Sequence, residues 1–228
     1  EVTPGVVYPL NESGGDPNYA QSTEPNAVPI PGSTTSWSCV ELAADGTTVI
    51  PGFSDGLNGG VNVPFGRWIR CTAVNQTATL ELRKVVENSY GGTAEPEDWS
   101  ITATPTGTFP AGLQPQTVTG STAGTTINVR PGVAYEITES GAPVGYVQQD
   151  TSCVTDSGGP LDGTTITLQA LDTATCTFTN ADTPARLTLV KEVEAGTTRA
   201  TEVPASWTLT ASPDGIVGQG EVSGNGDP

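Results

Sequence analysis

Apolar and polar side chains alternate one by one in short runs along this chain. Such runs predict strands, because successive side chains of a strand point to opposite faces. Leu80, Leu82, Lys84 and Val86 share one predicted face, and Glu81, Arg83 and Val85 the other. Leu187, Leu189, Lys191 and Val193 repeat that arrangement. Tyr135, Ile137 and Glu139 line a second type of strand, matched by Tyr8, Leu10 and Glu12. Cys176, Phe178 and Asn180 line a third, matched by Cys71, Ala73 and Asn75. Trp99, Ile101 and Ala103 alternate together, as do Trp207, Leu209 and Ala211, which predicts core positions. Clusters of Gly, Pro, Asn and Asp separate the runs, and helical periodicity is scarce. The pattern predicts an all-β sandwich or barrel.

The matches fall in a telling order. LELRKVVENSYGGTAEPEDWSITATPTG (80–107) resembles LTLVKEVEAGTTRATEVPASWTLTASPDG (187–215), with Lys84 on Lys191 and Trp99 on Trp207. VTPGVVYPLNESG (2–14) resembles VRPGVAYEITESG (129–141). SWSCV and CTAVN (36–40, 71–75) resemble TSCV and CTFTN (151–154, 176–180). Residues 77–183 therefore hold a start, a middle and an end. Residues 1–76 hold a middle and an end, and residues 184–228 only a start. Set before residue 1, the terminal GQGEVSGNGDP runs into EVTPGVVY as QTVTGSTAGTT runs into INVRPGVAY (116–135). The expectation is one period of a two-domain tandem array framed out of phase. The split domain would be completed by the next copy, through continuous chain or through strand exchange between subunits. The competing expectation is a fragment whose two ends belong to unrelated partial domains.

Each domain should then turn one Lys, one Glu and one Asn inward: Lys84, Glu139 and Asn180 in one, Lys191, Glu12 and Asn75 in the other. Lys84 and Lys191 are the only lysines, and the other six basic residues are Arg. A buried, unpaired ammonium is unfavourable, and its amine tends to lose the proton. One reading is a snorkelling lysine paired with a carboxylate. The sharper one is an intramolecular isopeptide bond. A neutral Lys amine attacks the Asn carboxamide, a buried protonated Glu relays protons, and ammonia leaves.

Composition narrows the classes. There are 25 acidic and 8 basic residues, for a net charge of −17, which excludes nucleic-acid binding by counterion release. The absence of His removes the usual proton shuttle and the commonest metal ligand. No calcium-loop pattern appears, so neither metal nor cofactor is expected. No apolar run approaches the roughly 20 residues of a membrane span. No signal peptide is visible, and the absence of Met points to a mature or partial chain. Four Cys in an acidic, Thr-rich β chain point to an oxidising, extracellular setting. Asn11-Glu12-Ser13 and Asn75-Gln76-Thr77 fit glycosylation sequons but fall where inward residues are expected.

LxLxK, YxxTES-GAPVGY and the closing TFTN together resemble the SpaA/Cna-B-like (prealbumin-like) domains of Gram-positive surface proteins. They are most similar to the disulfide-bearing, actinobacterial versions. The resemblance implies tandem reversed immunoglobulin-like sandwiches in stalks, pilins or adhesins at the bacterial cell surface. It places crosslinking Lys on Lys84 and Lys191, catalytic Glu on Glu139 and Glu12, and acceptor Asn on Asn180 and Asn75. The copy around Glu12 departs from the motif, reading NESGGDPNYA for ESGAPVGY. One disulfide per domain is expected, Cys39 with Cys71 and Cys153 with Cys176, with free buried thiols as the alternative.

The function expected is a structural module of an extracellular head-to-tail filament, stalk or surface fibre, its partners being neighbouring copies. The alternative is an adhesin binding a host or glycan ligand through long loops at 14–38 and 40–70. An enzyme, such as a glycosidase with paired carboxylates, lacks a supporting cleft-forming pattern. The self-crosslinking step turns over once and makes no enzyme.

Overall fold

The computed structural model describes residues 1–22, 37–56, 59–156, 158–161, 163–194, 203–214 and 220–225. They belong to two compact units, Glu1–Thr183 and Pro184–Pro228. The chain is all-β. The first unit begins with β1 (Val7–Pro9), β2 (Ala20–Gln21), β3 (Trp37–Leu42), β4 (Val49–Asp55), β5 (Gly60–Asn62), β6 (Trp68–Ala73) and β7 (Asn75–Gln76). It continues with β8 (Ala78–Glu87), β9 (Ser100–Thr106), β10 (Gln116–Thr119), β11 (Thr125–Val129) and β12 (Ala134–Ser140). It ends with β13 (Tyr146–Thr155), β14 (Pro160–Leu161), β15 (Thr165–Thr167) and β16 (Thr173–Asp182). The second unit contains β17 (Thr208–Ala211) and β18 (Val222–Asn225).

Residues 78–182 form a complete β-sandwich. One sheet runs β10-β9-β12-β15 and the other β11-β8-β16-β13-β14. The first and last strands, β8 and β16, lie side by side and parallel, and their neighbours are antiparallel. Alternation fixes which side chains meet between the sheets. Leu80 and Leu82 of β8, Ile101 and Ala103 of β9, Tyr135 and Ile137 of β12, and Cys176 and Phe178 of β16 are all buried in one core. Trp99 is buried at the entry to β9, just after a 3-10 turn at Pro96–Asp98.

The flanking segments reproduce parts of this sandwich, register for register. Cys39 opposes Cys71 across β3 and β6, as Cys153 opposes Cys176 across β13 and β16. β4 flanks β3 as β14 flanks β13. Tyr8 opposes Val61 across β1 and β5, as Tyr135 opposes Ile166 across β12 and β15. The Thr3 N–H donates to the Tyr8 hydroxyl at 2.6 Å, and that of Arg130 to Tyr135 at 3.0 Å. In the second unit a 3-10 turn at Pro204–Ser206 precedes Trp207. Leu209 then opposes Gly224 across β17 and β18, as Ile101 opposes Val118 across β9 and β10. What is missing is the seam. β16 is paired to β8, and β12 to β9. Among the described residues, β6 and β1 each have a strand on one side only.

Several expectations change as a result. No described residue of 184–194 lies in a strand, and Leu187 and Leu189 are exposed rather than inward. A lone extended segment leaves its backbone donors and acceptors to water, and a strand needs a neighbour to form. Trp207 is 37% exposed, whereas Trp99 is fully buried. The segment 40–70 is not a long loop. The end of β3, all of β4 and β5 and half of β6 lie in it, with β4 paired to the edge of β3. Of the insertion 14–38, residues 23–36 lie outside the described residues. Its start is anchored to the complete sandwich by the Arg130 guanidinium, which donates to the Pro17 carbonyl at 2.9 Å and to that of Tyr19.

Candidate crosslinking site

In the parallel ladder Lys84 lies opposite Phe178, and Val86 opposite Asn180. Lys84 and Asn180 therefore share the inward face of adjacent strands, two positions apart. Glu139 reaches them from β12 in the facing sheet. Lys84 is 0% exposed and Asn180 1%. The Lys84 amine sits 3.0 Å from Glu139 Oε2, while Asn180 Nδ2 donates to Glu139 Oε1 at 2.7 Å. The carboxyl group thus bridges the amine and the carboxamide. The amine also donates to the backbone carbonyls of Val85 (3.2 Å) and Phe178 (3.4 Å). Asn180 Oδ1 is buried without a hydrogen-bond partner.

Two neighbours of the site were not read from the sequence as belonging to it. The Trp99 ring centroid lies 4.6 Å from Lys84 Nζ, and the ring is held edge-on by Tyr146 at 5.4 Å. Gly120 lies against the stem of Lys84, where an added Cβ would come within 2.1 Å of the Pro96 carbonyl oxygen and 3.1 Å of Lys84 Cβ. Both lysines are followed by a Trp at the matching repeat position, and that spacing was the available signal.

Burial holds the Lys84 amine below its ordinary 10.5, although the hydrogen bond and charge of Glu139 pull the other way. A desolvated amine, a carboxamide and a carboxyl group touching both are the parts that amide exchange requires.

Glu12 and Asn75 meet as well, Asn75 Nδ2 donating to Glu12 Oε1, which is the same bond that Asn180 makes to Glu139. Both are exposed, contrary to the inward placement expected for them. The physical reason is that β7, which carries Asn75, is paired on one side only, to β2, whereas in the complete sandwich β8 covers the other side of the equivalent position. Lys191 stands beside Trp207, its Nζ 5.0 Å from the ring centroid, as Lys84 stands over Trp99. Asn11 and Asn75 are exposed too, so burial does not argue against their sequons.

Both disulfides join the expected partners, Cys39 to Cys71 and Cys153 to Cys176. Each links neighbouring strands, and in the complete sandwich β16 carries both the cystine and Asn180. Asp182, at the end of β16, accepts from the backbone N–H groups of Ser89, Tyr90 and Gly92 at 2.7, 2.7 and 2.8 Å. Among the described residues no group of His, Cys, Asp and Glu is arranged to hold a metal ion. Among the described residues no helix is long and apolar enough to cross a membrane.

A family model described as a prealbumin-like fold domain matches residues 75–178 and 182–227, and another of the same description matches residues 2–77. Among solved structures, the chain is similar to the major pilin from Streptococcus pyogenes, at 14% identity over 75% of this chain and 67% of that one, with a TM-score of 0.32. It is similar to the T3.2 major pilin protein of S. pyogenes serotype GAS13637, at 16% identity over 80% and 70%, TM-score 0.34. It is also similar to the T-13 major pilin protein of serotype GAS131465, at 12% identity over 80% and 69%, TM-score 0.35. No curated protein matches the chain.

Proposed function

Since the chain belongs to the family of prealbumin-like fold domains, we propose that it is a structural module of an extracellular surface fibre, its sandwich clamped by an amide between Lys84 and Asn180. The observation that carries this reading is the buried contact of Lys84, Glu139 and Asn180 across the first and last strands. In the reaction, the neutral Lys84 amine attacks Asn180 Cγ. The Nζ–Cγ bond forms and the Cγ–Nδ2 bond breaks. Glu139 takes a proton from the amine and returns one to the departing nitrogen, which leaves as ammonia. The new amide removes an ionisable group from the core and ties strand to strand where tension along the chain acts.

Residues 1–76 and 184–228 are, in this reading, complementary parts of a second sandwich, completed between neighbouring copies head to tail. Net acidity keeps such an assembly from self-associating elsewhere on its surface. The extracellular location is supported by the two cystines.

Peptide mapping of the reduced chain tests the clamp. A branched Lys84–Asn180 peptide lighter by one ammonia is expected, and none in Lys84→Ala. Two unmodified peptides in the wild type would overturn it. Single-molecule stretching of the same two proteins should then show residues 84–180 inextensible in the wild type alone.

A further inference from the structure

Within Glu1–Thr183 only Thr77 separates β7, the last strand of the flanking segment, from β8, the first strand of the complete sandwich. Thr77 is tied twice to the complete sandwich. Its hydroxyl donates to the Val129 carbonyl at the end of β11 at 2.9 Å, and its own carbonyl accepts from the Leu171 N–H at 2.9 Å. Beside this joint a second contact forms. The Arg130 guanidinium donates to the carbonyls of Pro17, at 2.9 Å, and Tyr19. Gln116 Nε2 donates to Asn18 Oδ1 at 3.3 Å and to the Asn128 carbonyl at 2.8 Å. Gly112 completes the contact, since a Cβ added there would lie 4.0 Å from Pro17 Cβ. The turn that offers these groups is shaped by its own bonds. The Tyr19 N–H donates to the Asp16 carbonyl at 3.1 Å, and Asp16 Oδ1 accepts from the N–H and Nδ2 of Asn18 at 2.9 and 3.0 Å. The complete sandwich folds the matching repeat position alike, with the Tyr146 N–H donating to the Pro143 carbonyl at 3.3 Å. β2 follows the turn and pairs with β7, so the turn is carried by the strand that enters the joint.

We infer that the turn Asp16–Tyr19 is a brace and Arg130 its anchor, so that residues 1–76 and the complete sandwich move as one rigid body. Neighbouring domains move relative to one another unless something opposes it. A single linking residue leaves two soft dihedrals, so the motion that remains is rocking about Thr77. The bonds of Thr77 to Val129 and Leu171 fix one point. A brace set to the side of that point opposes the rocking, because the joint cannot tilt without breaking the bonds of Arg130 to Pro17 and Tyr19. An arginine suits this place. Its guanidinium is planar, keeps its charge at any pH the protein meets, and holds several acceptors at once. The docking surface for the turn is the end of the complete sandwich formed by Gly112, Gln116 and Arg130. A pull along the chain then passes from β7 to β8 with the direction of the joint preserved. None of these contacts involves Lys84, Glu139 or Asn180, so the brace stands or falls apart from the clamp.

Residual dipolar couplings of the backbone amides, measured on the 228-residue chain, test this. In the wild type the amides of β3, β4 and β6 and those of β8, β9, β12 and β16 should fit one alignment tensor. Arg130→Ala should need two, with the couplings of residues 1–76 scaled down, while the amide shifts of the complete sandwich's core stay in place. Asp16→Ala alters only the exposed turn and should loosen the joint in the same direction by less. Two tensors in the wild type would show a hinge and overturn the inference. So would a single tensor surviving Arg130→Ala. Should Arg130→Ala lose its folded spectrum, Asp16→Ala decides: couplings that still fit one tensor as well as the wild type's would overturn the brace, and a second tensor would support it.

Discussion

Replacing Glu139 by Gln keeps the size of the side chain while removing the group that touches both reacting partners. In the wild type, Glu139 Oε2 is 3.0 Å from the Lys84 amine, and Oε1 accepts from Asn180 Nδ2 at 2.7 Å. A Gln cannot take the proton from the amine, so E139Q should retain its full mass. Its stability should fall by the value of the crosslink. An amide from Lys84 to Asn180 closes a loop of about 100 residues, worth about 4.7 kcal/mol in the chain-entropy model. The Cys153–Cys176 bridge already shortens that loop, which trims the figure by a few tenths. A domain of this size shifts by roughly 4–8 °C per kcal/mol, so calorimetry of the oxidised proteins should separate E139Q from the wild type by about 20 °C or more. Intact mass and calorimetry on the same samples decide the matter. E139Q losing ammonia at the wild-type rate would show that the carboxyl group is not the proton relay. Equal melting temperatures despite a mass difference would show that the clamp does not constrain the unfolded chain.

Three further outcomes are expected. Reducing the Cys153–Cys176 bridge, which spans 23 positions, should lower stability by about 3.5 kcal/mol in the same entropy model, read as the urea midpoint with and without reductant. Gly120→Ala should destabilise the sandwich by about 1–3 kcal/mol, as overpacking does, because its Cβ would meet the Pro96 carbonyl and the Lys84 stem; a thermal melt equal to wild type would refute the contact. Asp182 should make stability fall in acid. Burial pushes its carboxyl group up, but bonds from Gly92, Ser89 and Tyr90 outweigh this and hold it below 3.8. The unfolded chain therefore binds the proton first, and the stabilising contribution is present above 3.8 and lost as pH falls through the folded value. Urea midpoints for Asp182→Asn should be flatter with pH in that range.

The sandwich was legible in the sequence wherever both strands of a pair lie in one unit. Alternation placed Lys84, Tyr135 and Phe178 inward, and a strand whose neighbour is present obeys its alternation. The same pattern misled at Leu187 and Leu189, because alternation reports which face a strand would bury and not whether a neighbouring edge exists. Glu12 with Asn75 illustrates the distinction. The sequence brought the two side chains together, while their exposure followed from the bare side of β7. The long stretch 40–70 hid β4 because its run, VIPGFSD, contains Pro and Gly and reads as a loop. Trp99 was legible as core, but not as the ring facing the amine, since which residues face one another across the two sheets is set by packing.

The cystine between β13 and β16 has a consequence for survival among secreted proteases. Cleavage of the peptide bond anywhere from Val154 to Thr175 leaves the two resulting pieces attached through sulfur. The nicked molecule therefore stays whole until it also meets a reductant. The Cys39–Cys71 cystine gives residues 40–70 the same tolerance. That allows these surface segments to lengthen and vary without exposing the molecule to loss by a single cut.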